Sequence, residues 1–163
     1  MTIICDTREK KNGHILAWFE RCEIPYRIQK MDVADYQIEG YDELVIDRKQ
    51  NLDELVRNLT NRDDKSRFWR EVRRARERGA KMIVLCEHGG SVKRIEDVKN
   101  WRSKYSSVSG RALMEKIYKV HISYGVEFLF CDKRCTGRRI YELLTGGYGD
   151  ESCRHDKADR HNA

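Results

Sequence analysis

The chain has a single proline, Pro25, among 163 residues, and no apolar run longer than the five residues Met82–Cys86. A membrane-spanning helix requires about 20 apolar residues, so none is expected here. The N-terminus, MTIICDTREKK, turns charged by residue 6, which is too early for the apolar core of a secretory signal. No internal repeat is visible. Charged residues make up 37% and hydrophobic residues 39%, a balance that excludes a wholly disordered chain and suits one compact domain. The expectation is therefore a cytoplasmic protein with no membrane partner and no nucleotide cofactor. Six cysteines are present, but Cys5, Cys22, Cys86 and Cys131 sit inside apolar segments, where a thiol acts as a small hydrophobe. Reduced thiols are the simpler reading. Cys131, Cys135, Cys153 and His155 match no zinc-ligand spacing, and His88 and His121 read as structural.

Lys and Arg outnumber Asp and Glu by 33 to 27, for a net charge of +6. That excess fits a polyanionic partner without requiring one. Short β-type runs occur at 2–5, from Pro25 through PYRIQKMDV, at 35–38 and at 43–49. The last three read as successive antiparallel strands. Residues 14–22 place Ile15, Leu16 and Phe19 on one helical face. Leu52, Leu55, Val56 and Leu59 follow the i, i+3, i+4, i+7 spacing behind Asn51, with Glu54 at the capping-box position. A further helix runs from Asp64 to Arg78 and stops at Gly79. Buried strands are expected at 81–87 and 126–131, a short helix near 95–101, and helices at 111–124 and 137–144. This order predicts an α/β fold: a central mixed sheet with helices on both faces. Residues 1–145 form the domain in this reading. Residues 146–163 lack apolar periodicity and are expected to be a disordered tail.

The stretch ELVIDRKQNLD, residues 43–53, raises the chemical question. An apolar strand runs straight into Asp47-Arg48-Lys49, and Asp53 follows in the first turn of the next helix. Asp6 and Asp35 also lie at strand ends. On an extended chain Asp47 and Lys49 point the same way and Arg48 the opposite way. Converging carboxylates and a lysine suit metal-assisted phosphodiester hydrolysis: hard oxygen ligands take Mg²⁺ or Mn²⁺, and the lysine meets a water or a phosphate. Taken alone, Asp47-x-Lys49 reads more readily as a solvated turn of salt bridges.

The wider pattern is longer than that. DTRE at 6–9, DY at 35–36, DRK at 47–49 and, after three residues, Asp53 resemble the XPF/Hef-type structure-specific endonucleases. The hallmark of these enzymes is G-D, a spacer, E-R-K, three residues and D, and they belong to the restriction-endonuclease-like PD-(D/E)XK superfamily. The resemblance spans roughly residues 2–145 and implies a stand-alone nuclease domain. It implies catalytic roles for Asp35, Asp47, Lys49, Arg48 and Asp53, and metal ligation by Asp35, Asp47, Asp6 and Asp53. It further implies branched or flapped DNA as substrate, Mg²⁺ or Mn²⁺ as cofactor, a place in DNA repair or recombination, and a possible homodimer. Ala34 stands where the pattern has glycine, and Asp47 where it has glutamate. Neither helicase motifs nor a helix-hairpin-helix pair is found, which suits a phage or mobile-element protein. A non-catalytic DNA-binding subunit and a junction resolvase or restriction-like nuclease stay open.

Two surfaces add to this reading. Arg67, Arg70, Arg74 and Arg78 line up along one stripe of their helix, and with Arg8 they are the expected DNA contacts. The alternative for the stripe is a solvated face on which Glu71 and Glu77 pair internally. Residues 101–105, WRSKY, interleave aromatic and basic side chains. They could stack on bases, but Trp101 is expected to tuck into the core.

Overall fold

The structure, a computed structural model, describes residues 1–60 and 66–146. Six strands, β1 (Ile3–Cys5), β2 (Tyr26–Ile28), β3 (Tyr36–Ile38), β4 (Tyr41–Lys49), β5 (Lys81–Glu87) and β6 (Glu127–Cys131), form one sheet in the order β2-β1-β3-β4-β5-β6. β1 is parallel to β2, β4 to β5 and β5 to β6, while β3 is antiparallel to both β1 and β4. Five strands therefore run one way and β3 alone runs back. Its entry end lies at the edge where its neighbours exit, so Asp35 meets the ends of β1 and β4 there.

β2, β3 and β4 alternate in direction as expected, but β2 is not β3's neighbour: β1 lies between them, and β2 pairs in parallel with β1. Helix α1 (Gly13–Arg21) joins β1 to β2, and a helical crossover returns the chain parallel. β2 is also shorter than expected, because past Ile28 the chain leaves the sheet.

Two apolar layers cover the sheet. Val45, Met82, Val84, Cys86 and Phe128 pack beneath α2 (Leu52–Thr60), α3 (Arg67–Glu77) and α4 (Gly110–Tyr124). Ile3, Cys5, Tyr36, Ile46, Ile83 and Leu85 pack beneath α1 and α5 (Thr136–Leu144). The strict alternation along β4 and β5 reflects the two-residue period of a strand buried on both faces. Leu52, Leu55, Val56 and Leu59 are the buried residues of α2, each contributing about 1.5–3 kcal/mol. The cap of α2 uses both expected side chains, but its return bond lands one residue early: Glu54 N–H donates to Asn51 Oδ1 at 2.8 Å, and Gln50 N–H, not Asn51 N–H, donates to Glu54 Oε2 at 2.8 Å.

Gly110 opens α4 against the short 3-10 helix Ile95–Asn100. A Cβ there would stand 2.2 Å from the Val98 carbonyl oxygen, so no larger residue fits without moving backbone. Gly137 does the same for α1 against α5, where a Cβ would lie 2.9 Å from Trp18 Cβ.

Burial pushes the Cys5 and Cys131 thiols up to about 12, consistent with apolar packing. Cys135 is disulfide-bonded, a departure from the all-thiol expectation. The predicted start of α3 at Asp64, the tail from residue 147 onward, and Cys153 and His155 lie outside the described residues. Among the described residues, no helix is long and apolar enough to cross a membrane.

Candidate active site

The strand ends converge on a cleft of about 330 Å³ whose lining includes Arg8, Glu9, Asp35, Asp47, Arg48, Lys49, Glu54, Asn58, Arg67, Phe68 and Glu71. The pairing of Tyr36 with Ile46, continued by one residue, sets Asp35 across from Asp47. Directly opposed residues of an antiparallel pair share a face. Both carboxylates are buried, at 5% and 2% exposure. Asp35 is oriented by its neighbour's backbone, since Arg48 N–H donates to Asp35 Oδ2 at 2.9 Å. Among the described residues, its other oxygen, Oδ1, has only a long 3.5 Å contact with Arg67 Nη2. Lys49 Nζ lies 2.7 Å from Asp47 Oδ2 and 5.3 Å from the centre of the Phe68 ring. That ion pair aside, Asp47 Oδ2 accepts no hydrogen bond among the described residues.

The electrostatics follow from crowding like charges in a dry place. Burial, and then the charge of Asp47, push the Asp35 carboxyl well above its usual range, with Lys49 opposing. Burial works against the Lys49 ammonium, but Asp47 and Asp35 outweigh it and hold its pKa above the usual lysine value. Glu71 is also raised, first by burial and also by Asp47, against the pull of Arg67. Its carboxylate accepts from Ala34 N–H at 3.2 Å and from Arg67 Nε at 2.7 Å.

Asp35, Asp47 and Lys49, named from the sequence, are thus gathered at one point. Two expected companions are engaged elsewhere. Asp6 directs both oxygens at Arg8, at 2.9 and 2.6 Å, and also accepts from Met31 N–H at 3.1 Å. These hydrogen bonds outweigh burial and lower its pKa. It is the seat of Arg8. Asp53 turns away from the cleft and accepts from the Ser103 hydroxyl, because its place in the first turn of α2 faces the loop before α4. The neighbouring Glu54 lines the cleft in its stead.

Arg48 points to the far face, as alternation requires. There it is 2% exposed and held by Glu9 at 2.7 Å and Glu87 at 2.9 Å. Glu87 also accepts from Thr136 Oγ1 at 2.7 Å and meets His14 Nε2 at 2.5 Å. Arg48 is a buried pin whose backbone N–H carries Asp35.

The expected DNA-contact arginines divide. Arg8 and Arg67 line the cleft, each paired with acids. Arg70 is exposed, and Arg74 and Arg78 line a second, shallower cleft with Asp32 and Glu77. Glu71, read from the sequence as a surface partner, is 3% exposed and part of the cleft wall. Its signal was present: position 71 falls on the same stripe as Phe68, Val72 and Ala75. Trp101 is partly buried against the core as expected, and His121 Nδ1 meets the Val126 carbonyl at 2.8 Å.

Among the described residues, no three His, Cys, Asp or Glu side chains form a group able to hold a metal ion by themselves. Magnesium does not need such a cage. It keeps several waters and takes one or two carboxylates, completing its shell with phosphate oxygens. A buried carboxylate oxygen engaged only by Lys49, opposite a second one held by a single long contact, fits that demand.

Comparison with known proteins agrees with the architecture. The ERCC4 domain family matches residues 5–143. XPF from Aeropyrum pernix superimposes with a TM-score of 0.66 at 17% identity, over 88% of this chain and 63% of that one. XPF from Aeropyrum pernix in complex with DNA gives 0.64 at 16% identity, with the same coverage. At these identities the likeness establishes the fold, and this chain spans less than two thirds of those proteins. No curated protein matches the sequence.

Proposed function

The chain belongs to the ERCC4 domain family, and from that premise we propose that it is a metal-dependent DNA endonuclease cutting phosphodiester bonds in branched or flapped DNA. The observation that carries the reading is the convergence of Asp35, Asp47 and Lys49 in one cleft, all three buried and with Asp47 Oδ2 engaged by Lys49 alone among the described residues. Nuclease membership of the family and the DNA complex of the Aeropyrum pernix protein support it. Residues 1–145 are proposed as the nuclease unit, acting as a monomer or homodimer in the cell interior. DNA repair or recombination and a phage or mobile-element source remain parts of this proposal.

Asp35 and Asp47 would hold Mg²⁺ or Mn²⁺, which when bound polarises the scissile phosphate and acidifies a water. The remaining work falls to the chain itself. Lys49, fixed by Asp47 and by the Phe68 ring, presents an ammonium that donates to a phosphate oxygen or to the attacking water. Arg48 positions Asp35 through its backbone N–H. Glu71 holds Ala34 N–H and Arg67, shaping the wall of the cleft. Arg8 and Arg67 offer positive charge at the cleft, and Arg70, Arg74 and Arg78 extend it along α3 towards flanking phosphates.

The test is a labelled panel of single strand, duplex, flap, fork and four-way junction with Mg²⁺, Mn²⁺ or EDTA. Wild type is run beside Asp47→Ala and Lys49→Ala. The expected result is cutting that EDTA stops and that Lys49→Ala lowers by about 100- to 1,000-fold. DNA binding with no cutting under either metal would replace the enzyme by a DNA-binding module.

A further inference from the structure

The loop between the short 3-10 helix and α4 displays a ring for which the cleft has no use. Tyr105 is 86% exposed, more than any other large hydrophobic side chain among the described residues. Its backbone is well anchored. Ser103 Oγ accepts hydrogen bonds from Tyr105 N–H at 3.0 Å and Ser106 N–H at 2.9 Å, and donates to the Asp53 carboxylate. Ser106 Oγ accepts from Val108 N–H at 3.1 Å, and a bridge between Arg102 and Ser109 closes the base of the loop. Trp101 packs against the core beside that bridge. The anchor residue Asp53 is the chain neighbour of Glu54, which lines the cleft, so the ring is mounted on the helix that borders the site.

Charge accompanies the ring. Arg102 and Lys104 are exposed on either side of Ser103. Among the described residues neither has an acidic partner, whereas Arg8, Arg48 and Arg67 are all tied to carboxylates. An aromatic face in water beside two unengaged cations has the composition of a single-strand platform: the ring stacks on a base and the cations meet phosphates. A base inside a duplex is already stacked on its neighbours and offers no free face, so such a platform reads unpaired nucleotides.

The geometry points to a binding site for single-stranded DNA on this loop, with Tyr105 as the stacking residue and Arg102 and Lys104 as its phosphate contacts. This rests on the nuclease reading and adds the feature of the substrate it selects, a strand splayed from a duplex. It also gives Asp53 a role, fixing the platform relative to the cleft.

The experiment measures affinity in EDTA, where nothing is cut. A fork with unpaired arms, a single strand and a blunt duplex are compared for wild type, Tyr105→Ala, Tyr105→Trp and Ser103→Ala. Fluorescence of a 2-aminopurine placed in the unpaired arm is read in parallel. Tyr105→Ala is expected to weaken fork and single-strand binding by about 5- to 100-fold, leave the duplex within about 2-fold, and abolish quenching of the base. Tyr105→Trp should restore all three readings, and Ser103→Ala, which keeps the ring but frees the loop, should fall between. Equal affinities for wild type and Tyr105→Ala on the fork would overturn the platform and leave the nuclease standing. Failure of wild type to bind any of the three would overturn the nuclease reading and this inference together.

Discussion

Consecutive residues of β4 end in opposite electrostatic worlds. On the face beneath α2 and α3, Asp47 and Lys49 meet Asp35 and Glu71, and among the described residues Asp47 Oδ2 is engaged by Lys49 alone. On the face beneath α1 and α5, Arg48 is met by Glu9 and Glu87, and Glu87 in turn by His14 and Thr136. Burial works against the Arg48 charge, yet the two glutamates more than offset it. One face holds charge in strain and the other holds charge at rest. The resting face supports the strained one, because the Arg48 that it fixes also presents the N–H that orients Asp35. The neighbouring network supplies rigidity to the cleft face.

The comparison can be broken from either side. Glu87→Ala strips the resting face and leaves a buried guanidinium with half its partners. A cost of about 3–5 kcal/mol is expected, read from urea unfolding, and a loss below about 1 kcal/mol would show that Glu9 alone suffices. Gly137→Ala attacks the same face mechanically, driving a methyl into Trp18 where α5 crosses α1. About 1–3 kcal/mol should be lost while the cleft keeps its affinity for DNA.

Asp35→Asn acts on the strained face and should do the reverse. Asparagine can still accept from Arg48 N–H, and it removes one of two opposed charges, so a gain of about 1 kcal/mol at neutral pH is expected together with loss of cutting. The pH dependence has a definite sign. The folded pKa of Asp35 is raised, so the folded state binds more protons than the unfolded chain above pH about 4. The stability present below that point is lost as pH rises through the folded value, and Glu71 contributes in the same direction. The advantage of Asp35→Asn should therefore grow from pH 4 towards neutrality and vanish in acid. An advantage that is flat with pH would sink the assignment.

The smallest effect is expected at Ala34→Gly. Ala34 holds φ at +62°, a left-handed conformation that costs a residue with a Cβ about 1 kcal/mol. Glycine relieves it but gives up a buried methyl worth about as much. Melting temperature should change little and Glu71 should keep its hydrogen bond from residue 34, with activity at or slightly above wild type.

Much of this was legible in the residues. The six strands and five helices follow from apolar period and punctuation, and the alternation along DRK separates Arg48 from Asp47 and Lys49 before any coordinates. The glycine position of the motif also proved informative, since Ala34 adopts the backbone a glycine would. Other features depended on partners far along the chain. Asp6 sits at a strand end like Asp35, and only the return of Arg8 upon it shows that its oxygens are taken. The direction of Asp53 is set by Ser103, fifty residues on. Glu71 lay on the buried stripe of α3, but a basic helix made it look like a surface counter-charge. The pairing of β2 with β1 followed from the helix that joins them, and the later short strands obscured that signal.

The lone reversed strand has a practical consequence. β3 and β4 are joined by a two-residue turn, Glu39–Gly40, closed by the Ile38–Tyr41 pair. Because Asp35 and Asp47 occupy the other ends of these strands, the turn lies at the end of the sheet remote from the cleft, and both its residues are exposed. A fluorophore, an affinity tag or a whole inserted domain belongs at this loop tip. There the protein can be tethered or labelled with its cleft left free.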